Sequence, residues 1–212
     1  MTFDHTLDLA GLEALYRQPS ALVQSKKKPT LDDLSTAFIR AAPFALIATC
    51  DTGGRLDVSP RGGPAGFVQV LDDSRLAIGD LSGNNLLDSM RNIVDTGRIG
   101  LLLVHPGKDE TLRVNGRACI TTDPAVLDGF PSSLTRPRTA IGVSIDEVFV
   151  HCAKAFRRGG VWVPSSWAAL AEQPDGASIL ACQFSMDADA GQLRARLEAG
   201  YAADLAADRA DV

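Results

Sequence analysis

Several things are missing from this chain, and each absence removes a class of function. No run of about 18 apolar residues occurs among its 212, so no membrane-spanning helix is expected. The opening MTFDHTLDLAGLEALY carries acids where a secretory leader would carry Lys or Arg, which predicts a cytoplasmic protein. Cysteine is sparse: Cys50, Cys119, Cys152 and Cys182 are far apart and form no CxxC pair. That spacing argues against a disulfide framework. Three of the four stand in apolar or strand-like runs and read as buried thiols. With only 3 histidines to join them, no metal site is expected. GxGxxG is absent, and strand-like and helix-like segments do not alternate, which excludes a Rossmann dinucleotide domain. Basic residues are in the minority: the net charge is −5 and the pI about 5.2. The one basic cluster, Lys26-Lys27-Lys28, precedes Pro29 and reads as a solvated linker. Nucleic acid is therefore not an expected partner.

What remains has the balance of a globular protein, 45% apolar and 22% charged. The length fits one domain over 1–212, with N-terminal helices within 1–42 and a C-terminal helix over about 187–207. Residues 7–24 show helical spacing broken at Pro19-Ser20. Thr30 with Asp33 opens a helix through Ile39 that stops near Pro43. Then the pattern turns to short apolar runs: 44–49, 56–59, 67–71, 75–79, 98–104, 111–121 and 139–150. Asp51-Thr52-Gly53-Gly54, Asp72-Asp73-Ser74 and His105–Asp109 link pairs of them as hairpins. Residues 84–95 and a short stretch from Asp123-Pro124 read as helices, and 151–171 as helical in part. Short strands with few helices among them predict a mainly β, α+β fold built as a closed or partly closed barrel.

The most informative stretch is Ser82-Gly83-Asn84-Asn85, between the strand Leu76–Gly79 and the following helix. Such a turn points backbone N–H groups and side-chain amides at one spot, and the helix dipole favours an anion there. The plain alternative is a helix cap satisfying its own backbone. Three further blocks accompany it: Ser59-Pro60-Arg61-Gly62 upstream, Glu110–Gly116 (ETLRVNG) downstream, and His151-Cys152-Ala153-Lys154 after the last strand. In this order they resemble the FMN-binding split-barrel proteins related to pyridoxamine 5′-phosphate oxidase, over roughly residues 30–165.

The resemblance implies a split β-barrel of about six antiparallel strands with flanking helices, binding FMN between two copies of the chain. Asn84, Asn85 and Ser89 would then take the phosphate. Relatives often place an arginine after the second asparagine; here Leu86 stands there, leaving Arg61, Arg91 or Lys154 to compensate. Ser59, Pro60 and Arg61 would lie along the ring, with Gly62, Gly63 and Gly66 permitting close approach of backbone. Ile78, Gly79 and Asp80 would pass near the ring. Thr111 and Arg113 share one strand face, where Arg113 meets either the flavin or the acids Asp109 and Glu110. Asn115-Gly116 reads as a bend in that strand. Lys154 and Trp162 would supply charge and an aromatic wall across the dimer interface. No side chain is a compelling catalyst: His105 and His151 have structural explanations, and adjacent His151 and Cys152 point apart. The implied activity is an FMN-dependent oxidation or reduction of a small molecule. The alternatives are a flavin carrier or sensor without turnover, or the same fold using F420 or haem.

Overall fold

In the computed structural model of the chain, residues 4–167, 172–184 and 190–209 are described. The N-terminal helical spacing resolves into α1 (Leu9–Leu15) and α2 (Ala21–Ser25), separated around Pro19. Asp8 and Ser20 cap them by accepting the N–H of Gly11 and Val23. α3 (Asp33–Ala41) opens later than the Thr30 pattern predicts, because Asp32 is the cap and accepts the Ser35 N–H at 2.7 Å.

Seven strands follow, one more than about six, the extra one being very short: β1 (Phe44–Cys50), β2 (Leu56–Gly62), β3 (Val68–Val70), β4 (Arg75–Gly79), β5 (Arg98–Val104), β6 (Thr111–Thr121) and β7 (Ala140–His151). They form one sheet in the order β2-β1-β5-β6-β7-β4-β3, with every neighbouring pair antiparallel. The three expected hairpins are present as β1–β2, β3–β4 and β5–β6. The register of β6 against β7 shifts between Asn115 and Gly116, the bend expected there. Gly116 is obligatory at that bulge, since a Cβ would run into the Ser144 carbonyl oxygen.

One side of the sheet carries the core. Ala45, Ile47, Leu101, Leu103, Leu112, Val114, Ile141, Val143, Leu76 and Ile78 are buried there, together with Ile39 of α3. Against this side lies α4 (Asp88–Thr96), touching β1, β2, β5 and β6. The helix expected over 84–95 therefore begins at Asp88. Asn85 and Leu87 have φ of 57° and 59°, left-handed values that a right-handed helix cannot include. Its buried face is partly polar. Met90 and Ile93 are buried, but so are Ser89 and Asn92, whereas Leu87 and Val94 are exposed. Asn92 donates to Thr49 Oγ1 at 3.0 Å, tying the helix to β1.

The opposite side of β1, β2 and β5 is open. Phe44, Leu46 and Ala48 alternate with the core residues of β1 and pair in register with Gly62, Pro60 and Val58, so all share that outer side. Val58 is 64% exposed and Leu56 78%. After β6 come α5 (Pro124–Leu127) and, past β7, α6 (Lys154–Gly159), α7 (Pro164–Trp167), α8 (Gly176–Gln183) and α9 (Ala190–Ala207). α8 is absent from the sequence reading, because its apolar residues Ile179, Leu180 and Ala181 are consecutive rather than helically spaced. The first residues of the expected C-terminal helix, 187–189, and positions 168–171 of the segment after His151 lie outside the described residues.

Two expectations are corrected. Lys26-Lys27-Lys28 is no free linker: the Lys28 N–H and carbonyl pair with Val148 of β7 at 3.0 and 2.7 Å, and Lys26 Nζ reaches the Val150 carbonyl. Nor are the cysteines buried thiols. Cys119, Cys152 and Cys182 are exposed and Cys50 is half-buried, because alternation puts Cys50 and Cys119 on the outer side of their strands.

Candidate functional site

The turn before α4 folds back over the inner side of β2. There Asp57, Ser59 and Arg61 alternate toward α4, in register with the buried Thr49, Ile47 and Ala45 of β1. Between them lies a cleft of about 240 Å³. Of the candidate residues, the cleft gathers Ser59, Pro60, Arg61, Asp80, Asn84, Asn85 and Ser89. Three separate parts of the sequence meet here: β2, the end of β4, and the turn leading into α4.

Each wall has a physical cause. Asn85 takes its left-handed conformation at modest cost, as asparagine does more readily than most residues. Asn84 accepts the Leu86 N–H with its side chain at 3.1 Å, which tightens the turn. Ser89 Oγ donates to the Asp57 carboxylate and anchors the start of α4 to β2. Asp208, just past α9, accepts the Ser82 N–H at 3.1 Å, so the end of α9 rests against the same turn.

Arg61 is the cation of this lining. Its guanidinium stands 3.7 Å from Asp80, and its Nε is buried with no hydrogen-bond partner. Against it stand three carboxylates, Asp57, Asp80 and Asp88. Burial raises the Asp80 carboxyl above the usual carboxylate range, with Arg61 opposing in part. A phosphate fits the orphaned Arg61 Nε and the asparagine turn. It does not fit an ionised Asp80, which already holds the guanidinium.

The other candidates lie elsewhere in the protomer. Ile78 is in the core, 1% exposed. Gly79 is packed from within, since a Cβ there would stand 2.8 Å from Pro137 Cγ. Gly63 is explained in the same way, a Cβ there standing 2.6 Å from that of Phe67. Thr111 is buried beside His151 at the start of β6. Arg113 meets neither acid: Asp109 pairs with Arg157 at 2.8 Å, while Arg113 lies over the Phe149 ring. Lys154 opens α6 and is exposed. Trp162 donates to the Lys108 carbonyl at 2.7 Å and packs on Phe156. His105 Nε2 bonds the Phe38 carbonyl at 2.9 Å, a structural role.

Sequence reasoning passed over Asp57, which shares the inner side of β2 with Ser59 and Arg61 and holds Ser89. The period of two from Arg61 backward was the signal that would have found it. Asp88, at the first turn of α4, was likewise missed.

The cleft, the turn and the strands that carry them fall within residues 31–152, and a family model described as pyridoxamine 5′-phosphate oxidase matches that span. The chain belongs to the pyridoxamine 5′-phosphate oxidase family. The match covers β1 through β7 and both sides of the cleft. Solved structures similar to this family member include HupZ from Group A Streptococcus, at 18% identity and a TM-score of 0.47, covering 57% of this chain and 93% of that one. General Stress Protein 26 from Bacillus anthracis has 15% identity and a TM-score of 0.43, covering 54% and 88%. An FMN-binding protein from Syntrophomonas wolfei has 9% identity and a TM-score of 0.40, covering 56% and 89%. A search of curated proteins finds no match. Among the described residues, no helix is long and apolar enough to cross a membrane.

Proposed function

We propose that this chain is an FMN-dependent oxidoreductase acting on a small molecule, working as a cytoplasmic homodimer of one split-barrel domain per subunit. The observation that carries the reading is the buried, unpartnered Nε of Arg61, a residue in the lining of a cleft walled by the Asn84-Asn85 turn. An arginine nitrogen removed from water and left without an acceptor costs free energy that an incoming anion recovers. Arg61, Ser59, Asn84 and Asn85 would hold the phosphate tail, with Asp80 releasing the guanidinium as it enters. When bound, the flavin supplies the electron-transfer chemistry.

The exposed surface supports the dimer. The cleft of about 240 Å³ has room for a phosphate tail. The open apolar side bearing Phe44, Leu46, Val58 and Leu56 is the surface a second copy would cover. Thr111, Lys154 and Trp162, remote from the cleft within one protomer, would serve the ring from that second copy.

The test is the ultraviolet–visible spectrum of the purified protein, its mass in solution, and a titration with FMN. Flavin bands and a dimer mass support the reading. A Soret band would replace FMN with haem. Colourless protein that ignores added FMN would end it. Photoreduction followed by reoxidation with candidate acceptors separates an enzyme from a passive carrier.

A further inference from the structure

The outer side of the sheet carries a concentration of positive charge that the flavin reading leaves unused. Phe149 of β7 is an aromatic residue with three cations gathered on it. Lys26 Nζ and Lys27 Nζ lie 5.2 Å from its ring centroid and Arg113 Cζ lies 5.5 Å away. Lys26 and Lys27 are brought there by the backbone pairing of Lys28 with Val148, so the cluster is fixed by the fold. In a chain of net charge −5 this is an unusual local balance.

Cations pack together on a surface only when something offsets their repulsion. A carboxylate, Glu147, is interleaved and is already engaged. Its oxygens take Asn115 Nδ2 at 2.7 Å and Lys27 Nζ at 3.0 Å. The Asn115 hydrogen bond, then Lys27 and the nearby charge of Arg113, hold its carboxyl below the usual range. Arg113 has no carboxylate or carbonyl on its guanidinium among the described residues, and the ring of Phe149 satisfies one face only. The half-buried His151 lies beside the cluster. Burial, then the charges of Arg113 and Lys26, lowers its affinity for a proton.

We propose that Arg113, with Lys26 and Lys27, forms a second anion site that binds the carboxylate or phosphate of a small acidic ligand. The guanidinium fork supplies paired donors and the two ammonium groups supply charge. The site is separate from the Arg61 cleft. Arg113 is opposite Leu102, Leu102 opposite Leu46, and Leu46 opposite Pro60, three strands away on the outer side, whereas Arg61 faces inward. The acidic group it selects would make the substrate of the proposed flavoenzyme an anion. In that respect the inference extends the reading above, but the binding step does not require it.

The experiment follows the imidazole resonances of His151 in the full-length chain, one of 3 histidines, by NMR while inorganic phosphate or oxalate is added. It is run with and without saturating FMN. Saturable binding of either anion, with a rise in the His151 pKa and no change on adding FMN, is the expected result. Arg113→Gln should weaken it about tenfold, the loss of one paired charged contact, while Arg113→Lys retains part of it. Asn85→Asp should leave it intact. Which anion binds tighter distinguishes a phosphate ligand from a carboxylate one. No saturation with either anion, binding indifferent to Arg113→Gln in a folded variant, or binding abolished by FMN would each overturn the proposal. Failure of FMN to bind leaves the FMN-free arm readable, so the two readings fail separately.

Discussion

Arg61 and Asp80 hold each other across 3.7 Å at the wall of the cleft, and the same guanidinium leaves its Nε without an acceptor. Asp80 thus stands where an incoming anion would bond. Asp80→Asn removes a competing charge and frees Arg61, so FMN affinity should rise by about tenfold, read by quenching of flavin fluorescence. A pH signature accompanies it. Because burial raises the Asp80 carboxyl, the folded chain keeps that proton to higher pH than the unfolded chain. The stability this supplies is full below the ordinary carboxylate value of 3.8 and is lost as pH rises through the raised value. Asp80→Asn should therefore gain Tm over the parent progressively above that pH and show little difference below it.

Asn85→Asp tests the turn. Both residues accept the left-handed backbone at φ 57°, so the variant should fold as the parent does. The new carboxylate would face the phosphate and lower FMN affinity by about tenfold or more. Full flavin occupancy after purification would place the tail elsewhere.

Leu86 is 60% exposed beside the cleft, at the position where the resemblance leads one to expect an arginine. Leu86→Arg adds a cation without disturbing packing. It should tighten FMN binding, with a dissociation constant about tenfold lower, and leave Tm within a degree or two of the parent.

Gly116→Ala drives a Cβ into the Ser144 carbonyl oxygen at the β6 bulge. Urea unfolding should show a loss of about 2–4 kcal/mol. Gly176→Ala, where a Cβ meets nothing within 4 Å at the start of α8, should be neutral or slightly stabilising in the same assay.

Val58→Lys places a charge in the middle of the open apolar side. In the homodimer reading it should yield monomer by light scattering and reduce flavin retention together. A variant that stays dimeric would move the interface to another surface.

The strands were legible as short apolar runs bounded by turn residues. β4, β5 and β6 begin and end where Arg75–Gly79, Arg98–Val104 and Thr111–Thr121 indicated. The bend at Asn115-Gly116 was legible too, from one glycine in an otherwise β-rich run. The start of α4 was not, since nothing in Asn84–Leu87 announces that Asn85 and Leu87 turn left-handed. Within the cleft, Asn84, Asn85 and Arg61 were read from motif and resemblance. Of the charges opposing them, Asp57 was marked only by its period of two from Arg61, and Asp88 acquires meaning only when β2 meets α4. The cationic cluster was hidden for a similar reason. Lys26 and Phe149 are remote in sequence, and only the Lys28–Val148 bridge brings them together.

The bond from Asp208 to the Ser82 amide couples the far end of α9 to the middle of the chain. A bulky group attached near that helix, or a partner gripping its exposed Tyr201 and Leu205, would pull on one of the turn's donors. An affinity handle fused beyond that helix would sit beside the turn that walls the cleft.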